Sequence, residues 1–82
     1  MLWFFKRDED SLRLEARYDN DKSEFVAIIH RPDGSQQIER FTDIVVFQAR
    51  LIALEQQLEK ERWERKGSPV ILSDGWPNRR LT

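Results

Sequence analysis

The chain has 82 residues, no cysteine, and 14 Lys plus Arg against 15 Asp plus Glu, for a formal net charge of −1. This length makes one small domain with a thin core, and the lack of cysteine excludes disulfides and thiolate metal sites as its support. The near balance of charge disfavours a basic surface for long nucleic acid duplexes. A hydrophobic content of 39% argues against wholesale disorder.

The sequence opens on a short apolar run, residues 1–5, which a charged run, residues 6–10, follows directly. The apolar run is too short for a signal-peptide core of about 7 to 15 residues or a membrane span of about 20. It predicts a strand, with an arm that inserts into a partner as the alternative. Together with the lack of cysteine, it leads us to expect a cytoplasmic protein that does not enter a membrane.

Two strand patterns follow. Residues 12–18 alternate strictly, with Leu12, Leu14, Ala16 and Tyr18 on one face, as in a half-buried strand. The polar segment 19–23 predicts a chain reversal. Residues 24–30 are apolar at almost every position, which is typical of a central strand covered on both faces.

A turn and a more polar strand come next. The segment Arg31-Pro32-Asp33-Gly34 has the residue order of a tight turn. Residues 35–41 then return as a strand with long polar side chains, which favour a position near the sheet edge. The first half of the chain therefore predicts an antiparallel β-meander of three to four strands.

The pattern changes to a helical period after residue 43. Thr42 or Asp43 suits the N-cap, and with Thr42 as the cap, Phe41 and Val46 would form a hydrophobic staple. An apolar stripe at spacings of three and four follows: Ile44, Phe47, Leu51, Leu54 and Leu58. The fold class is thus α+β, a meander followed by one long amphipathic helix.

The predicted helix ends at about Arg65 or Lys66. Gly67 suits a left-handed C-cap, and Pro69 blocks continuation. We therefore divide the chain into a β-meander plus helix domain, residues 1–66, and a C-terminal extended tail, residues 67–82. The tail is predicted to dock on the domain, as a short fifth strand or an ordered arm, with a loose tail as the alternative.

The helix carries more apolar surface than one sheet needs. On a helical wheel, a second flank gathers Val45, Ala49, Ile52 and Trp63, away from the stripe. The central strand has the same surplus, because one helix covers only one of its faces. The sequence therefore predicts a homodimer, with the alternatives that the N-terminal aromatic residues and the tail cover the surplus or that another protein does.

Catalytic and metal-binding patterns are weak. His30 is the single histidine, and no sequence motif indicates partner residues for it in catalysis or metal binding. The acidic residues near positions 8–10 and 19–24 do not follow the calcium-loop pattern. We expect no enzyme activity, no cofactor and no metal.

Two groups of residues are candidates for ligand contact. Arg13 and Arg17 lie on one face of a strand near aromatic residues, a combination used to hold single-stranded nucleic acid. Trp76, Arg79 and Arg80 form an aromatic and basic cluster in the tail. The leading hypothesis remains a non-enzymatic homodimeric interaction or scaffold module, and the alternative is a small protein that binds single-stranded nucleic acid.

Overall fold

A computed structural model of the chain describes residues 1–70, and for residues 68–70 it describes the backbone alone. The elements in this range are β1 Leu2–Arg7, β2 Asp10–Asp19, β3 Glu24–His30, β4 Gln36–Phe41, α1 Ile44–Lys60 and β5 Glu64–Val70. The strands form one antiparallel sheet in the order β4-β3-β2-β1-β5. The predicted α+β class, a meander followed by one long helix, is confirmed, and β5 adds a fifth strand beside β1.

The core lies between one face of the sheet and α1. The alternation predicted for residues 12–18 is confirmed, since Leu12, Leu14 and Ala16 are buried. The other core residues come from both neighbouring strands, from α1 and from the segment after it: Trp3, Phe5, Phe25, Ala27, Ile29, Phe47, Leu54, Leu58 and Trp63. The core is thus a single layer, and the opposite face of the sheet is not covered by any element of residues 1–70.

The start of α1 is set by Asp43. Its Oδ1 accepts hydrogen bonds from the backbone N–H groups of Val45 at 2.7 Å and Val46 at 3.4 Å. The cap is therefore Asp43 and not Thr42, so the staple proposed between Phe41 and Val46 is wrong. Phe41 instead packs on Phe47, with ring centroids 5.7 Å apart, because Phe47 is the residue that α1 turns towards the sheet.

The end of α1 differs from the prediction. The helix ends at Lys60, five to six residues early, because Arg62 adopts a left-handed conformation with φ of 70°. The N–H of Trp63 donates to the carbonyl of Leu58 at 2.9 Å, and that of Arg62 donates to Glu59 at 2.9 Å. This is the Schellman arrangement with Arg in the position that glycine usually takes.

Gly67, expected as the helix cap, lies within β5 with φ of 70°. The pairing of β5 with β1 shifts register between Leu2 and Phe4, and Gly67 lies opposite that shift. Its left-handed backbone therefore serves a β-bulge and not a helix end. Since β5 crosses the predicted boundary between residues 66 and 67, residues 67–70 belong to the sheet.

Candidate functional site

The outward side of α1 is apolar and exposed. Val45 is 69% exposed, Ile52 59% and Val46 53%, whereas Phe47, Leu54 and Leu58 on the inward side are buried. Spacings of four and three residues align Val45, Ala49 and Ile52 along one side of the helix, with Val46 and Ala53 beside them. We call these five residues the helix patch: Val45, Val46, Ala49, Ile52 and Ala53.

The shape and charge of the helix patch suit contact with another apolar surface. Ala49 and Ala53 are small, so a second backbone can approach closely at the middle of the patch and at its C-terminal end. No residue of the patch is charged or hydrogen-bonding in its side chain. The predicted flank of Val45, Ala49 and Ile52 is thus brought together on one exposed surface.

The charged residues beside the helix patch are held by partners within the chain. Arg50 forms a forked ion pair with Glu39 on β4, with Nε to Oε1 at 2.7 Å and Nη2 to Oε2 at 2.9 Å. Arg50 holds the pKa of Glu39 below its ordinary value, because it donates both hydrogen bonds to the ionised carboxylate. Glu55 similarly lies 3.8 Å from Arg65.

Trp63, the fourth residue predicted on the flank, lies in the core and not on the helix patch. It is 3% exposed, because the chain leaves the helix at Lys60 and turns back beneath it. The guanidinium of Arg7 lies over its ring at 4.3 Å from the centroid. Its Nε1 has no hydrogen-bond partner among the described residues.

Arg13 and Arg17 lie on the open face of the sheet, which we define as the face opposite α1. In the register, Arg13 pairs with Phe4 on β1 and with His30 on β3. Arg17 lies 3.7 Å from Glu15. The sequence predicts cover on both faces of the central strand, but no element of residues 1–70 covers the open face. Val26 is nevertheless buried on this face, beneath long neighbouring side chains.

His30 is fixed between two side chains on the open face. Its Nε2 lies 3.0 Å from Oε1 of Glu15, and its Nδ1 lies 3.2 Å from Nε2 of Gln36. With the Gln36 amide donating to Nδ1, the proton of the neutral ring lies on Nε2 and is donated to Glu15. In residues 1–70, no three His, Asp or Glu side chains come together as a possible metal site.

The remaining predicted ligand contacts, Trp76, Arg79 and Arg80, lie outside the described residues, as does the tail from residue 71 onward. No protein-family model matches the chain, and no match to it was found among curated proteins or solved structures. Over residues 1–70, no helix has the length and apolar character needed to cross a membrane.

Proposed function

We propose that this protein is a non-enzymatic interaction module that forms a homodimer through the helix patch. The observation that supports this is the exposure of Val45, Val46 and Ile52 on an uncharged helix side. Burial of one Val or Ile side chain contributes about 1.5 to 3 kcal/mol. A domain of this size has a stability of roughly 4 to 12 kcal/mol, so covering the patch matters to the whole fold.

A second copy of the chain is the occupant that the patch suits best. A two-fold symmetric contact pairs a surface with itself, so a surface with charge of one sign would repel its own copy while an uncharged one does not. If two α1 helices cross antiparallel with the axis at Ala49, Val45 of one copy faces Ala53 of the other, and Val46 faces Ile52. The patch is therefore self-complementary in both charge and spacing.

The environment we propose for this module is the reducing cytoplasm. The full sequence contains no cysteine, so neither folding nor self-association depends on oxidation. Dimer formation also compensates for the thin core of a small domain that has no disulfide cross-link.

The experiment is a measurement of solution mass by light scattering and by sedimentation at 5 to about 100 micromolar chain. We expect the unaltered chain to have twice the 9.9 kDa mass of one copy. Ile52→Glu places a charge in the centre of the patch and is expected to give a monomer that remains folded by circular dichroism. If the unaltered chain stays monomeric throughout this concentration range, the result contradicts the proposal.

The matched control is Ile38→Glu. Ile38 is 53% exposed, close to the exposure of Ile52, but it lies on the open face of the sheet. The same chemical change there is expected to leave the dimer intact. If Ile38→Glu abolishes the dimer and Ile52→Glu does not, the copies meet through the sheet and the helix patch is not the interface.

A further inference from the structure

A cavity of about 580 Å³ opens on the open face of the sheet, on the side away from α1. It lies between β1, β2, the end of β3, the turn that follows β3, and β5. Its walls include Phe4, Lys6, Arg13, His30, Arg31 and Lys66, and no Asp or Glu lines it. Three cationic side chains, those of Lys6, Arg13 and Lys66, thus lie around one concave surface of a chain whose net charge is −1.

Most of this positive charge is not neutralised within residues 1–70. Lys6 and Arg13 make no ion pair with any described residue. The guanidinium of Arg31 instead bonds Gln37, at 3.3 Å, on the α1 side of the sheet, and its charge also acts on Asp33. Of Lys6, Arg13 and Lys66, only Lys66 has an acidic partner among the described residues, Glu64 at 3.3 Å, and both of these side chains are largely in solvent.

Elsewhere on the open face, the cationic side chains lie beside carboxylates. Arg17 lies by Glu15, and Arg40 is held by Asp19 at 3.0 Å and Glu24 at 3.3 Å. Those carboxylates cancel the positive charge at that end of the sheet. Glu15 also bonds His30 at the border of the cavity, but Lys6 and Arg13 have no carboxylate partner among the described residues, so the cavity presents a positive surface to an anion.

Phe4 adds an aromatic surface to this positive field. It is 40% exposed, and in the register it lies between Arg13 on β2 and Lys66 on β5. An exposed ring flanked by cations provides a stacking surface for a base while the cations hold the adjoining phosphates. This combination distinguishes a nucleotide chain from a simple anion.

We propose that this cavity binds single-stranded nucleic acid, with one base stacked on Phe4 and the flanking phosphates held by Lys6, Arg13 and Lys66. The cavity volume lies in the range of small-ligand sites, roughly 300 to 1,000 Å³, so it accommodates a nucleotide unit. A duplex keeps its bases stacked inside and offers none to Phe4. The site is on the opposite side of the sheet from the helix patch, so this proposal does not depend on the homodimer.

The experiment titrates the full chain into a fluorescein-labelled thymidine 12-mer and follows fluorescence anisotropy at 50 and 200 mM salt. We expect saturable binding that weakens as salt rises, and at least tenfold weaker binding of a duplex of the same length. A labelled poly-glutamate 12-mer tests whether charge alone is recognised, and it is expected not to bind. Absence of binding to the 12-mer at 50 mM salt, or equal binding of the poly-glutamate, overturns the proposal.

Substitutions assign the binding to the cavity. Arg13→Gln is expected to weaken binding at least fivefold and to lower the slope of log affinity against log salt by about 0.7, the value for one phosphate contact on a single strand. Arg17→Gln is the matched control, since Arg17 lies on the same face of β2 but outside this cavity. Equal losses for the two variants place binding elsewhere and overturn the proposal.

The contribution of Phe4 is tested by Phe4→Leu, which keeps an apolar side chain but removes the ring. We expect at least threefold weaker binding with an unchanged salt slope, because stacking releases no counterions. Thermal unfolding of each variant shows whether its fold is retained. Unchanged affinity in a folded Phe4→Leu variant overturns the assignment of a base to this ring.

Discussion

The guanidinium carbon of Arg7 lies 4.3 Å from the ring centroid of Trp63, at the point where the chain leaves α1. Nη1 of Arg7 also donates a hydrogen bond of 2.9 Å to the carbonyl of Glu61. A cation near a helix C-terminus interacts favourably with the carbonyls there, and its contact with the ring adds a cation–π attraction. One residue of β1 thus fixes both the end of the helix and the first core residue after it.

Replacement of Arg7 by Ala is expected to lower the free energy of unfolding by about 1 to 2 kcal/mol, through loss of the hydrogen bond to Glu61 and of the contact with Trp63. Urea unfolding followed by circular dichroism measures the change. Lys6→Ala is the control, because the side chain of Lys6 has no ion pair or hydrogen bond among residues 1–70, and this substitution should change stability by less than about 0.5 kcal/mol. Equal effects of the two substitutions would count against the role of Arg7.

Arg62 provides a second prediction, since it occupies the left-handed region with φ of 70°. This conformation costs a residue with a Cβ about 1 to 2 kcal/mol, a cost that glycine avoids. Arg62→Gly is therefore expected to raise the free energy of unfolding by about 0.5 to 1 kcal/mol in urea. Arg62→Ala removes the same side chain but keeps the Cβ, so it should bring no such gain; a similar rise in both variants would contradict the backbone explanation.

The same residue explains why the end of the helix was predicted wrongly. Residues 59–66 alternate in charge and contain neither Gly nor Pro, so the pattern is typical of a solvated helix that ends at Gly67. The sequence carries no signal that Arg62 takes a left-handed conformation. That conformation is stabilised by burial of Trp63 beneath Arg7, a contact between residues far apart in the chain.

The sheet was easier to predict than the sites. Alternation in residues 12–18 and the turn residues at 31–34 act locally, so they determine β2 and the β3–β4 turn without knowledge of the rest. The helix patch also follows from local spacing, except for Trp63, which a continued helix would align with Val45. The cavity instead brings together Phe4, Arg13 and Lys66, whose proximity depends on the pairing of β1 with both β2 and β5.

The ion pair between Glu39 and Arg50 predicts a dependence of stability on pH. Arg50 lowers the pKa of Glu39 below its ordinary value of 4.5, so the folded state favours the ionised carboxylate. This stabilisation is present above the unfolded pKa and is lost as the pH falls through the folded pKa. Both side chains are partly exposed, so we expect about 0.5 to 1 kcal/mol.

Glu39→Gln should therefore lower the free energy of unfolding at pH 7, and the difference from the unaltered chain should shrink as the pH falls below about 4.5. Urea unfolding of both proteins from pH 7 to pH 3 measures it. The control is Glu9→Gln, because Glu9 is exposed and has no ion pair among residues 1–70. A difference that stays constant across this pH range would show that the ion pair does not provide it.

Substitutions of Trp63 test its place in the core against a place on the helix patch. Trp63→Ala should lower the free energy of unfolding by about 3 to 5 kcal/mol, because it leaves a void in the core. Ile38→Ala on the open face should lower it by less than about 0.5 kcal/mol. Trp63→Phe should cost under about 1.5 kcal/mol, since the smaller ring keeps most of the packing and removes an indole N–H that has no partner in residues 1–70. Urea unfolding measures all three. If Trp63→Ala instead left stability intact and abolished the dimer, Trp63 would belong to an interface, as a continued helix predicts.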